Sequence, residues 1–214
     1  MTNAMTVTTS RSRVASAAAV LVLTSAIALP GCTQQQRDGL SSSYLIIDFL
    51  EAASGAEPTK FSGNLASDVL TNGSVFTDPG QVTLRLALKD PGGSSNPAQP
   101  TSTNYITVTR YHVKFVRSDG RNTQGVDVPY EFDGGVTGTV GTATTTLVFT
   151  LVRGQAKLET PLIGLANLGG AVFVSTIAQV TLYGTDQAGR EVSVTGSISV
   201  NFADWADPDD AGDQ

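Results

Sequence analysis

Along much of this chain apolar and polar residues alternate one for one, the period of a strand with one dry and one wet face. The stretch QVTLRLALK sets Val82, Leu84, Leu86 and Leu88 against Thr83, Arg85, Ala87 and Lys89. YITVTRYHVKFVRSDG places Tyr111, Val113 and Phe115 on one face and ends in a turn-forming Asp119-Gly120 pair. TTTLVFTLVR supplies Leu147, Phe149 and Leu151 as another inward set. The clearest passage covers 173–204. Ala178, Val180 and Leu182 share one face of a strand, and Val192, Val194, Ile198, Val200 and Phe202 share one face of the next. Ser193, Thr195, Ser197, Ser199 and Asn201 fill the opposite, wet face of that second strand, and Gly196 breaks its apolar set, which predicts a bulge.

Other segments are less regular. Tyr44, Leu45, Ile46, Ile47 and Phe49 within 43–53 predict a first strand. In VDVPYEFDGG, Tyr130 and Phe132 lie close together, and Pro129 predicts an edge or bulged position. Residues 90–104, dense in Pro, Gly and Ser, predict a loop, and 159–170 a short helix or irregular turn. Seven to nine strands with short turns and no strand–helix alternation predict an all-β antiparallel sandwich over 44–204. An acidic tail follows at 205–214, and a polar, aperiodic tether precedes at 32–43.

The first 31 residues follow a different pattern. Arg11 and Arg13 precede a small-residue and apolar run at 14–29, and no acidic residue occurs before Asp38. The run is shorter than the about 20 apolar residues of a membrane span and has the make-up of a secretory signal. It leads into Leu29, Pro30, Gly31 and Cys32, the only cysteine of the chain. This LPGC sequence resembles the lipobox of bacterial lipoproteins. The resemblance implies cleavage before Cys32, a diacylglycerol on its sulfur, and usually an acyl group on the new N-terminus. Each buried methylene contributes about 0.8 kcal/mol, so two or three chains hold a protein at a bilayer where one does so marginally. By the same resemblance, Thr33 after the cysteine points to the outer membrane in a cell that has two. One thiol also excludes an intramolecular disulfide framework.

Removing 1–31 takes two of 13 basic residues and none of 19 acidic ones, leaving 11 against 19 and a net charge of −8. That balance argues against nucleic acid and against electrostatic binding to anionic lipid.

The hairpin VTLYGTDQAGREVSV, with its Thr185-Asp186-Gln187-Ala188-Gly189-Arg190 turn, resembles the last two strands of bacterial immunoglobulin-like and fibronectin type III-like domains. The likeness covers 176–203 and implies an immunoglobulin-like sandwich. The paired cysteines and central tryptophan of antibody domains are missing, since Trp205 falls in the tail.

Candidate chemistry is sparse. His112, the single histidine, falls on the outward parity of its strand and reads as a surface side chain, not as the base of a relay with a nucleophile. Asp186 is the candidate calcium ligand, with Asp204 and Asp207 as possible companions. Against this, Asp186 suits the capping of its own turn, and a strand of some ten residues separates it from Asp204. Tyr105, Tyr111, Tyr130, Phe132, Tyr183 and Trp205 raise a sugar-binding reading, although Tyr111 and Phe132 share parity with core positions. The glycines of 134–141 lie between strands with no helix after them, so they serve bends and not a phosphate. The expectation is a non-enzymatic structural or protein-interaction module of the cell envelope. It would hold no cofactor beyond the acyl groups on Cys32 and would meet the membrane through that anchor. An envelope protein of unknown identity would meet it through loops, 90–104 first among them. The alternative is an accessory domain that binds glycan or calcium.

Overall fold

Alternation at period two builds two facing sheets in a computed structural model that describes residues 40–205. The strands are β1 (Ser43–Ala52), β2 (Asn64–Asp68), β3 (Asp78–Leu88), β4 (Gly92–Gly93), β5 (Asn96–Pro97), β6 (Ile106–Val116), β7 (Phe132–Val140), β8 (Thr145–Val152), β9 (Val174–Asp186) and β10 (Glu191–Ala203). One sheet has the order β1-β3-β8, the other β2-β10-β9-β6-β7, and β4 with β5 forms a small ladder of its own. With β1, β3 and β8 as strands A, B and E, and β6, β7, β9 and β10 as C, C′, F and G, this is the immunoglobulin-like arrangement of a β-sandwich. Eight strands make the sandwich. The two-residue strands β4 and β5 decorate the 90–104 loop.

One pair departs from the antiparallel expectation. β2 runs parallel to the last strand, with Ser199 opposite Asn64 and Ala203 opposite Asp68. Its five residues, NLASD, carry too few apolar positions to stand out by period.

The inward faces meet as expected. Val82, Leu84, Leu147, Phe149 and Leu151 pack against Val108, Tyr111, Val113, Phe115, Val180, Leu182, Val200 and Phe202. The Tyr111 ring lies 5.0 Å from Phe149 and 6.2 Å from Phe132, the latter edge-on, while Phe115 meets Phe202 at 5.6 Å. The Tyr111 hydroxyl accepts a bond from the Thr150 N–H at 3.3 Å, so its polar end is not stranded in the core.

Two glycine expectations change. β9 and β10 keep an unbroken register from Glu191 opposite Thr185 to Phe202 opposite Val174, so Gly196 marks no bulge. A Cβ there would stand 2.8 Å from Ile47 Cδ1 and 3.1 Å from Leu50 Cδ2, and the glycine admits β1 close against β10. The register shifts fall instead in β1 after Ile47, in β6 after Val108 and in β3 after Asp78. The glycines of 134–141 lie mostly within the edge strand β7, not between strands, and Gly134 leaves the room that the Tyr111 ring occupies. Pro129 is buried just ahead of that strand, which begins only at Phe132.

The boundaries shift slightly as well. Ser41 and Ser43, placed in the tether, are buried, and Ser43 Oγ donates to the Asn104 carbonyl at 2.6 Å. Trp205, placed in the tail, is half-buried and its N–H donates to Asp68 Oδ1 at 3.0 Å. The helical turn α1 (Gly154–Lys157) starts earlier than expected, and a 3₁₀ turn at Leu162–Leu165 fills part of the anticipated 159–170 segment.

The strand directions sort the connections into two ends. Leu40, the 89–105 loop, the 141–144 turn and the 187–190 turn share one end. The other end gathers the connections 53–63, 69–77, 117–131 and 153–173, together with Trp205.

Candidate functional site

Leu29, Pro30, Gly31 and Cys32 lie outside the described residues, as does Asp207. Among the described residues no helix is long and apolar enough to cross a membrane.

Asp186 closes its own turn. Its Oδ1 accepts the N–H groups of Ala188 at 3.0 Å and Arg190 at 2.9 Å, and its Oδ2 accepts Arg190 Nε at 2.6 Å. Burial alone would raise this carboxyl, but bonds from the Arg190 backbone, the Ser41 hydroxyl and the Arg190 guanidinium together hold it below the ordinary range. Arg190 also donates to the Leu40 carbonyl at 2.9 Å, so the turn pins the point where the described chain enters the sandwich. Asp204 follows β10 at the opposite end, as the strand length required. Among the described residues no three His, Cys, Asp or Glu side chains converge as metal ligands.

His112 lies on the outer face of β6, between two carboxylates. Its Nε2 stands 3.7 Å from Glu131 Oε2 and its Nδ1 3.4 Å from Asp133 Oδ1. Both ring nitrogens therefore face acids. Asp133 sits below the ordinary carboxylate range, chiefly through the bond from Arg110, whose Nη1 donates to it at 2.6 Å.

The same face carries one aromatic platform. The Arg110 guanidinium lies 3.9 Å from the centre of the Tyr183 ring. The shift of register after Val108 turns Thr109 and Arg110 outward beside it. A cavity of about 250 Å³ opens there, lined by Thr109, Arg110, Tyr183, Thr185, Glu191 and Ser193 among others. Of the other rings weighed for sugar binding, Tyr111 is core, Phe132 packs against it, Tyr105 is half-buried beside Gly141, and Tyr130 is exposed at the far end.

The most unusual chemistry is buried and carries no sequence signal. Lys157 Nζ donates to Asp78 Oδ1 at 2.9 Å, with 1% and 0% of the two side chains exposed. Asp78 also accepts the Gly55 N–H at 2.8 Å and the Ser67 hydroxyl at 2.5 Å. Burial raises the Asp78 carboxyl above its ordinary range even though Lys157, Ser67 and Gly55 all pull it down. The cluster ties the first residue of β3 to β2, to the 53–63 connection and to α1. It thereby fixes the base of the 153–173 loop.

That loop leads to the main apolar surface. Of the 13 large hydrophobic residues exposed among the described residues, eight belong to the connections 69–77, 117–131 and 153–173 at one end. Val126 is 67%, Phe173 61% and Leu158 52% exposed. Residues 162–173, LIGLANLGGAVF, contain no charge at all. The 90–104 loop at the opposite end holds none of the 13.

No protein-family model matches the chain, and no curated protein matches it. Among solved structures, the sporulation control protein Spo0M of Bacillus subtilis is similar at 15% identity and a TM-score of 0.26, over 75% of this chain and 50% of its own. The chain thus spans about half the length of that protein.

Proposed function

We propose that this chain is a lipoprotein of a bacterial envelope: a non-enzymatic interaction module held at a bilayer by acyl groups on Cys32. The observation that carries this reading is the order of Arg11 and Arg13, the apolar run 14–29 and the sole cysteine behind Leu29-Pro30-Gly31. Burial of Ser41 supports it, because about eight residues then link the anchor to the folded sandwich. Eight residues can reach at most about 29 Å when fully extended. Thr33 favours the outer membrane where there are two. The partner is an envelope protein met by loops on a rigid scaffold.

Metabolic labelling with a clickable fatty acid tests the reading. Label is expected on the native protein and absent from Cys32→Ser. An unlabelled native protein, or equal label on the variant, would overturn it.

A second reading, a glycan site, is favoured by one observation. The cavity beside Tyr183 presents Thr109, Thr185 and Ser193 hydroxyls together with Glu191 and Arg110, the mixture of donors and acceptors that a sugar ring demands. Amide shifts of Gly184 and Ser193 on titration with mono- and disaccharides would support it, and an unchanged spectrum would remove it.

A further inference from the structure

We propose that the apolar end of the sandwich is a protein-docking surface whose partner presents an apolar patch ringed by lysine or arginine. For its orientation the proposal rests on the anchoring of Cys32.

The area is of the right size. At about 200 Å² per fully exposed side chain, the eight exposed residues offer together roughly 800 Å² of surface. A standard protein interface takes about 800 Å² from each side.

Geometry removes the anchoring bilayer as occupant. Leu40 lies at one end and the apolar surface at the other, separated by strands as long as the 13 residues of β9, about 40 Å. End-on insertion would hold Leu40 that far from the lipid. The eight residues from Cys32 to Leu40 reach at most about 29 Å when fully extended. End-on insertion into its own anchoring bilayer is therefore beyond the tether's reach.

Charge selects the partner. Apart from the buried Asp78–Lys157 pair, the segments at this end carry seven carboxylates, Glu57, Asp68, Asp119, Asp127, Glu131, Glu159 and Asp204. Against these stand four cations, Lys60, Arg117, Arg121 and Arg153. Arg117 and Arg121 share Asp119, and Lys60 bonds Glu57. A second copy would bring like charges together, and anionic lipid would be repelled. A cation-rimmed protein surface is complementary.

The test places a photoreactive side chain at Phe173 of the full-length chain in its native membrane, with the same probe at Phe49 as control. Phe49 is 63% exposed on the outer face of the other sheet. The expected result is an adduct to one envelope protein from position 173 alone. It should be lost in Leu168→Ser/Val172→Ser, weakened by high salt, and mapped to a peptide holding apolar residues and Lys or Arg. Adducts confined to a second copy or to lipid, equal adducts from Phe49, or no adduct would each overturn the proposal. Acylation of Cys32 is scored separately by mass. An adduct on a chain without acyl groups would sustain the docking surface and fell the anchor, while an acylated chain without an adduct would do the reverse.

Discussion

Replacing Lys157 by Met removes the only cation beside a carboxylate that is fully buried. The methionine fills similar volume, so little cavity forms. The cost comes from leaving Asp78 charged with only the Gly55 N–H and the Ser67 hydroxyl as partners. Breaking one side of a buried pair costs about 3–5 kcal/mol, which for a domain of this size lowers the melting temperature by roughly 10 °C. Burial already raises the Asp78 carboxyl with Lys157 in place, and without the ammonium it rises further. The folded variant then holds a proton more tightly than its unfolded chain does. Its deficit should shrink as pH falls toward 4 and grow as pH rises through the raised value. Urea unfolding of the native and Lys157→Met domains at pH 5 and pH 8 measures both effects. A deficit under about 1 kcal/mol at pH 8, or one that does not narrow at pH 5, would refute the assignment of this pair as a buried, charge-compensated tie. The double variant Asp78→Leu/Lys157→Met is expected to recover much of the loss, because no uncompensated charge remains.

Asp186→Asn should cost about 1.5–3 kcal/mol at pH 7, since three bonds to a buried charged acceptor are weakened. The native carboxyl lies below the ordinary value near 3.9, so the stability it confers is present above that value and fades as pH falls through the native one. Melting curves of both proteins should accordingly converge as the pH falls below the ordinary carboxylate range. Gly196→Val should destabilise by about 1–3 kcal/mol, because its branches would collide with Ile47 and Leu50, while Gly196→Ala should change little as Ile47 Cδ1 yields. Denaturant titration of the pair separates overpacking from a simple glycine effect.

The two long hairpin strands were legible apart from Gly196, because most of β9 and β10 alternates inward and outward residues and the pair closes on an Asp-x-x-Gly turn. The self-capping of Asp186 was legible for the same local reason. What could not be read depended on distant partners. β2 is too short to show a period, and its parallel place beside β10 follows from chain topology. Gly196 looks like a bulge until β1 is seen crossing it. Asp78 and Lys157 are 79 residues apart and look like ordinary surface residues in sequence. Pro, Gly and Ser mark 90–104 as the longest loop, and its place at the Leu40 end, where Asn104 bonds Ser42 and Ser43, follows from strand direction that composition does not reveal. The exposed apolar side chains of 153–173 are hidden in a stretch whose hydrophobicity resembles that of a core.

The proposed fatty modification on the Cys32 sulfur would hold this sandwich at a bilayer. Mass spectrometry of the N-terminal peptide from protein purified out of its native membrane tests it most directly. The expected result is a peptide that begins at Cys32 and carries a diacylglycerol. A mature chain that begins at another residue, or an unmodified Cys32, would contradict it.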